Sequence, residues 1–134
     1  MLSACAKKEN LVLNKNNVRL NGQEFIVEIA DTSEKQIQGL SGRESLGLNA
    51  GMLFVYNDYN IRLFWMKEMK FPLDIVWIKD GLVVGCSEKV PVLDKNGHIS
   101  EIQSPGEVNY VLEINSGLCE KYNIISGSKV EIGK

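Results

Sequence analysis

The amino-acid sequence predicts an α+β domain that is mostly β, with a small barrel-like or strongly curled antiparallel sheet and two short helices. Three observations support this fold class. Short runs of alternating or wholly apolar residues recur along the chain, which is typical of strands. Glycine, proline, asparagine and aspartate separate these runs at turn positions. Only two short segments have helical patterns, and a length of 134 residues favours a single domain.

The predicted strands are short and are joined by tight turns or loops. Lys79-Asp80-Gly81 is a hairpin signal, because aspartate followed by glycine favours a two-residue turn. Residues 57–60 are predicted to form a turn, and residues 90–106 an irregular excursion. The predicted strands cover residues 25–29, 51–56, two segments within 63–78, 82–87, 109–114 and 128–132.

Two short helices are predicted between these strands. Asp31-Thr32-Ser33-Glu34 supplies capping oxygens and acidic residues for a first turn, so a helix is expected from about Ser33 to Leu40. Gly39 weakens the far end of that helix. A second helix is expected from Gly117 to Tyr122.

The N-terminus predicts export and lipidation. Leu2-Ser3-Ala4-Cys5 matches a bacterial lipobox, in which an apolar residue and two small residues precede the acylated cysteine. A Lys- and Asn-rich stretch follows and suits a solvated tether. We therefore expect a signal peptide ahead of Met1, a lipid on Cys5, a lipobox and tether over residues 1–17, and one globular domain over 18–134. The protein would then be an exported lipoprotein facing the periplasm or cell exterior; the alternative is a chance match of four residues.

Composition and charge exclude several function classes. A net charge of −2 and a pI near 5.5 argue against nucleic acid as a partner, since phosphate binding needs a concentrated basic surface. His98 is the only histidine in the sequence, so a multi-histidine metal site is excluded. The sequence has no nucleophile elbow, phosphate loop or dinucleotide fingerprint. We therefore predict no cofactor and no metal.

The most informative stretch is the apolar block 63–78, which contains a few charges that a core normally excludes. If its two strands form a hairpin with Lys67 opposite Asp74, all other cross-strand partners are apolar. Asp74 should then be at least half-buried, and a buried carboxylate needs a cation or several donors. Lys67 or Arg43 is the predicted cation.

Two interpretations of these charges remain open. In the first, they line a polar pocket at one end of the sheet, with Trp65 as a flat apolar wall; Glu113, on the face of its strand opposite Tyr110, could join them. In the second, the charges form an internal ion-pair network that fixes strand register. The candidate ligand-binding residues are Arg43, Trp65, Lys67, Asp74 and Glu113, and no catalytic residue is assigned.

Five segments carry the motifs of one family: Gly39-Leu40 to Arg43, Gly51-Met52-Leu53-Phe54, Phe64-Trp65-Met66-Lys67, Pro72-Leu73-Asp74, and Tyr110 to Asn115 with Gly117. Together they resemble the domain-of-unknown-function family 192, over roughly residues 24 to 132. This chain departs from the family at Ser41, where methionine is usual, and at Glu68-Met69, where asparagine and threonine are usual. The resemblance implies a small β-rich domain and brings no established activity.

Cys86 and Cys119 have two possible states. In an oxidising compartment they could form a disulfide. However, Cys86 lies in an alternating strand and Cys119 on a short amphipathic helix, and both patterns are typical of buried thiols. We therefore expect two free core cysteines.

Three functions are compatible with these observations. The favoured one is a lipid-anchored extracytoplasmic domain that binds a small ligand or an envelope partner, without enzymatic activity. The second is a hydrolase or lyase that uses Asp74 and Glu113 as acid and base on carbohydrate or cell-wall material. That chemistry requires the two carboxylates about 5 to 10 Å apart on the same side of the sheet. The third is a structural envelope protein.

Overall fold

A computed structural model describes residues 16–133 as a curled seven-stranded sheet, a separate two-stranded sheet and two short helices. The strand order in the large sheet is β6-β5-β8-β3-β2-β1-β9, and β4 pairs with β7. In chain order the elements are β1 (Asn17–Leu20), β2 (Gln23–Ala30), α1 (Ser33–Gln38), β3 (Ala50–Asn60), β4 (Leu63–Trp65), β5 (Leu73–Lys79), β6 (Leu82–Val90), β7 (Glu101–Gln103), β8 (Val108–Asn115), α2 (Leu118–Lys121) and β9 (Val130–Ile132).

The large sheet curls until its two edges meet at one end. The amide of Val83 in β6 donates to the carbonyl of Ser128 at 2.9 Å, and the amide of Val130 in β9 donates to Gly81 at 2.8 Å. The predicted fold class is therefore confirmed. One strand pair, β2 with β3, is parallel. Because parallel neighbours require a crossover, the chain between them passes over one face of the sheet and carries α1.

The curl separates two hydrophobic clusters on opposite faces of the sheet. The inner cluster takes residues from all seven strands and from α2. The outer cluster lies under the α1 crossover and the two-stranded sheet. Strand alternation assigns neighbours to different clusters: Val76 faces inward, whereas Ile75 and Trp77 face outward. This division decides which polar side chains can meet.

Local signals in the sequence predicted several elements correctly. The β5–β6 hairpin forms at the predicted turn, where Asp80 and Gly81 both have positive φ angles of 50° and 80°. Helix α1 begins at Ser33, and the Thr32 hydroxyl accepts a hydrogen bond from the Lys35 amide at 3.2 Å. The predicted turn at residues 57–60 is wrong, because this segment continues β3 to Asn60.

The predicted hairpin between the two strands of block 63–78 is wrong. β4 pairs with β7, which lies far along the chain, and β5 lies between β6 and β8. Lys67 therefore does not oppose Asp74. Between the two strands the backbone turns away through Glu68, which has a positive φ of 61°. The apolar alternation of the block was real, but its partners are supplied by distant strands.

The expectation of two free cysteines is also wrong. Cys86 on β6 and Cys119 on α2 form a disulfide. In the β5–β6 register Cys86 lies opposite Val76, which faces inward. The Cys86 side chain therefore also points into the curl, where α2 packs. The bond ties α2 to an edge strand of the sheet.

Within residues 16–133, no helix is long and apolar enough to cross a membrane. The predicted lipobox and most of the predicted tether lie outside the described residues, which begin at Asn16.

Candidate functional site

A pocket of about 390 Å³ opens on the outer face of the sheet, between α1, β3 and β4. Its walls are mainly apolar and aromatic, with a few polar groups and one acidic side chain. The lining residues are Ser33, Gln36, Ile37, Gln38, Gly39, Leu40, Ser41, Phe54, Tyr56, Leu63, Phe64, Trp65, Met69 and Glu113. The position of the pocket follows from the topology. The β2–β3 crossover places α1 over the outer face of the large sheet, and β4 lies over the same face next to it.

Two hydrogen bonds hold the opposite walls of the pocket together. The Ser41 hydroxyl donates to the Lys67 carbonyl at 3.0 Å, and the Gly42 amide donates to the Glu68 carbonyl at 2.9 Å. These bonds join the turn after α1 to the turn after β4. Gly39 ends α1 with a positive φ of 50°, which an L side chain adopts only with strain. The turn after α1 and the turn after β4 are therefore hydrogen-bonded to each other at one end of the pocket.

Aromatic side chains make up much of the wall. The rings of Phe54 and Phe64 meet edge to face at 4.8 Å, and Phe64 meets Trp77 in the same way at 5.6 Å. Such pairs stabilise a fixed arrangement of rings. Trp65 lies at the mouth with 53% of its surface exposed, and the Lys67 ammonium is 5.1 Å from its ring centroid. The rings of the inner wall therefore pack against one another, and the mouth is open to solvent.

Glu113 supplies the acidic group of the pocket. It lies on β8 opposite Ile75 of β5 and Met52 of β3, both in the outer cluster, so its side chain points outward. A Cβ at Gly51 would lie 2.7 Å from the Glu113 carbonyl, and the absent side chain lets β3 and β8 approach closely there. The resulting position is 6% exposed.

The environment of Glu113 favours its neutral form. Burial raises the pKa of its carboxyl from 4.5 to about 8. Among residues 16–133, no cation or hydrogen-bond donor offsets that effect on the carboxyl. At neutral pH the group is therefore mostly a protonated acid, which can both donate and accept a hydrogen bond.

Tyr56 is the other ionisable side chain among the residues that line the pocket. Burial raises its pKa to about 12, and the nearby Arg62 opposes that shift. The Arg62 guanidinium lies 3.8 Å from the Tyr56 ring centroid and donates to Asp58 and to the Val108 carbonyl. The Tyr56 hydroxyl therefore stays protonated at every physiological pH.

The structure brings together two of the five residues that the sequence singled out. Trp65 and Glu113 line the pocket, and Lys67 lies beside Trp65 at its edge. Arg43 lies in a neighbouring depression and forms a two-pronged ion pair with Glu28. The ligand-binding role of these residues stays a prediction.

Asp74 lies on the inner face, away from the pocket. It is fully buried, as predicted, but neither Lys67 nor Arg43 holds it. Its carboxylate instead accepts three backbone hydrogen bonds, from the amides of Lys89 (2.7 Å), Gly117 (3.0 Å) and Cys119 (2.8 Å). These donors tie the end of β6 and the start of α2 to β5. The predicted pairing with a cation was therefore wrong, and the alternative of several donors is what the fold uses.

Sequence reasoning missed most of the pocket wall. Phe54 and Tyr56 face outward on β3, and Met69 closes the pocket from the turn after β4. The alternation of β3 would have placed Phe54 and Tyr56 on one face. The role of the α1 turn depends on the parallel crossover, for which no local signal exists.

One cluster of potential metal ligands lies inside the curl, where Asp74 and the two cysteines approach within 4.8 Å of one another. Both sulfur atoms are bonded to each other in the disulfide, and a cysteine binds a metal only as a free thiolate. This donor set therefore does not fit a metal.

Comparison with known proteins places the chain among uncharacterised relatives. The model of domain-of-unknown-function family 192, described as an uncharacterized ACR, matches residues 16–132. A crystal structure of a protein of unknown function from Novosphingobium aromaticivorans is 33% identical, with a TM-score of 0.77, and the match covers 86% of this chain and 83% of that one. A Sinorhizobium meliloti protein provisionally named a transcription regulator is 30% identical, also with a TM-score of 0.77, over 91% and 96% of the two chains. Among curated proteins, none matches.

Proposed function

The chain belongs to the domain-of-unknown-function family 192, and from its own geometry we propose that it is a lipid-anchored extracytoplasmic domain that binds a small, largely apolar ligand in the outer-face pocket. The ligand would place one polar group against Glu113 and its apolar body against the aromatic wall. The pocket volume of about 390 Å³ lies within the range of small-molecule sites.

One observation carries this proposal: the Glu113 side chain is only 6% exposed, lines the pocket, and has no hydrogen-bond or ion-pair partner among the described residues. Burial of an unpaired polar group destabilises a fold. The pocket combines this carboxyl with a concave wall of aromatic side chains. Ligand sites usually have this composition, in which a few polar groups orient a mostly apolar ligand. Exposed apolar residues at the mouth, Ile37, Leu63 and Trp65, extend the apolar surface outward.

The proposed location rests on two separate features of the chain. The Leu2-Ser3-Ala4-Cys5 sequence and the polar stretch behind it suit acylation of Cys5 and tethering of the domain to a membrane. The Cys86–Cys119 disulfide suits an oxidising compartment, because cytosolic reductants keep most thiols reduced. Together they support an exported protein that faces the periplasm or cell exterior.

The proposed partners follow from the same features: a membrane through the lipid, and a small ligand or an envelope protein that presents an apolar group to the pocket. A net charge of −2 gives no reason to add nucleic acid to this list.

Fragment binding measured by protein NMR tests the pocket. A panel of small aromatic and alkyl fragments should shift the amide signals of residues around Phe54, Tyr56 and Glu113. In the Trp65→Ala variant the same fragments should bind roughly threefold to tenfold more weakly, because one aromatic contact is lost. Leu82→Ala is the matched control, since Leu82 is also half-exposed but lies outside the pocket. Equal binding to both variants, or shifts confined to other surfaces, would disprove the proposal.

A further inference from the structure

We propose that the ligand class of this pocket is an organic ammonium, a positively charged amine with an apolar body, whose nitrogen binds the Glu113 carboxylate. This inference rests on the proposed function, since it names the chemistry of the same site. It follows from the polar groups that line the pocket, the aromatic rings around them and the charges nearby.

The polar groups of the pocket favour a ligand that donates hydrogen bonds. Glu113 offers its carboxyl oxygens. The Nε2 group of Gln36 already donates to the carbonyls of Ala30 and Val55 at 3.1 and 2.9 Å, which leaves its amide oxygen as an acceptor. The Ser41 hydroxyl donates to the Lys67 carbonyl. These donors are used within the protein, so Gln36 and the Glu113 carboxylate offer acceptor oxygens to a ligand, beside the Tyr56 hydroxyl, which can donate or accept.

Charges around Glu113 point the same way. From β3 it is faced by Tyr56, whose hydroxyl stays neutral. Glu113 faces no charged side chain from β5 or α1 within the described residues that line the pocket. Arg62 lies over the Tyr56 ring at 3.8 Å and is paired with Asp58, and Arg43 is paired with Glu28 in the next depression. The Lys67 ammonium lies at the mouth beside Trp65, and no described residue that lines the pocket is itself a cation. A ligand anion at Glu113 would therefore meet no cation from the lining, whereas a ligand cation would supply the charge that the buried carboxyl lacks.

The aromatic wall also suits a cation. Phe54, Tyr56, Phe64 and Trp65 surround the same space, and ring faces attract ammonium groups, most strongly where water is excluded. A carboxylate combined with several rings recognises an ammonium better than a neutral alcohol of the same shape. The Lys67 ammonium beside Trp65 shows that at least one of these rings already accepts a cation.

Binding would be linked to proton release. In the free protein near neutral pH the carboxyl carries a proton, and an incoming ammonium would favour the carboxylate. The proton then leaves Glu113 for solvent, and the ammonium keeps all of its own protons. Affinity for an amine should therefore rise with pH up to about the pKa of Glu113 and then level off, as long as the amine itself stays charged.

Calorimetry with matched probes tests the inference. Phenethylamine, phenethyl alcohol and hydrocinnamate share one apolar body and present an ammonium, a hydroxyl and a carboxylate; hexylamine, hexanol and hexanoate form a second set without a ring. Amines should bind about tenfold more tightly than alcohols above the Glu113 pKa. At lower pH, titration in buffers of different ionisation enthalpy should show release of about one proton per amine bound.

Glu113→Gln should abolish both the amine preference and the proton release while leaving alcohol binding similar. Glu107→Gln, an exposed glutamate outside the pocket, should change neither. If alcohols or carboxylates bind as tightly as amines in the wild-type protein across this pH range, the ammonium inference fails and the pocket proposal stands. If all six probes fail to bind at millimolar concentration, the pocket proposal and the ammonium inference both fail.

Discussion

Asp74 and Glu113 lie on the neighbouring strands β5 and β8, one residue out of register, and their carboxyl groups point to opposite faces of the sheet. Asp74 is held by three backbone amides inside the curl, whereas Glu113 opens into the outer pocket. The two acids therefore cannot act on one substrate. This geometry excludes the hydrolase or lyase mechanism in which they serve as an acid and base pair.

Replacing Asp74 with Ala should strongly destabilise the fold. Three amide donors would lose their acceptor in a buried position, and the free energy of unfolding should fall by on the order of 3 kcal/mol. Urea denaturation of the purified domain measures this. Lys67→Met should change the free energy by less than about 0.5 kcal/mol, because Lys67 does not pair with Asp74. A large loss from Lys67→Met, or recovery of stability in the double variant Lys67→Met with Asp74→Leu, would contradict this account.

The environment of Asp74 shows what the sequence could and could not predict. Alternation and turn residues predicted most strands, the β5–β6 hairpin and the burial of Asp74, because those signals are local. The pairing of β4 with β7 and of β5 with β8 depends on residues far apart in the chain. The nearest candidate partner for Asp74 was a lysine seven residues away, and the true partners are backbone amides that no side-chain pattern reveals.

The outer-face pocket was predicted only in part, because local alternation places single residues but does not reveal which distant segments meet. Glu113 was placed on the opposite face from Tyr110 and Leu112 by alternation alone, which the structure confirms. Arg43 belongs to a segment that does border the pocket, but its guanidinium turns to Glu28. The wall formed by the turn after α1 required knowledge of the parallel crossover between β2 and β3.

Glu113 should make stability depend on pH. Its pKa is about 8 in the folded protein and near 4.5 in an unfolded chain, so the folded state retains a proton that the unfolded state releases. Stability should therefore decrease as pH rises from about 4.5 to about 8 and level off above that window, since one pKa unit corresponds to about 1.4 kcal/mol. Urea denaturation across this range should show the decrease in wild type.

Glu113→Gln provides the control for this titration. Glutamine keeps the shape and cannot ionise, so the variant should be more stable than wild type at alkaline pH and similar at acid pH. Identical pH profiles for the two proteins would show that Glu113 titrates normally.

Reduction of the Cys86–Cys119 disulfide should destabilise the domain. The bond closes a loop with a sequence separation of 33, and loss of a cross-link over such a loop costs about 4 kcal/mol in the chain-entropy treatment. Thermal unfolding with and without reductant measures the effect. The double variant Cys86→Ala with Cys119→Ala should be insensitive to reductant. Two free thiols in the protein purified from the bacterial envelope would contradict the assignment.

Cys5 should carry the lipid in cells that express the full gene. Metabolic labelling with a palmitate analogue should mark the wild-type protein and not the Cys5→Ser variant, since the lipobox match assigns acylation to that residue alone. Cys86→Ala with Cys119→Ala should keep the label. Equal labelling of wild type and Cys5→Ser would end the lipoprotein proposal.

A crystal structure with the tightest-binding probe of the matched set tests the central claim most directly. We expect electron density in the pocket between α1 and β4, with the polar head of the probe about 2.8 Å from a Glu113 carboxyl oxygen and its apolar body against Phe54 and Trp65. Density in the Arg43 depression or on another surface, with the Glu113 pocket empty, would contradict it.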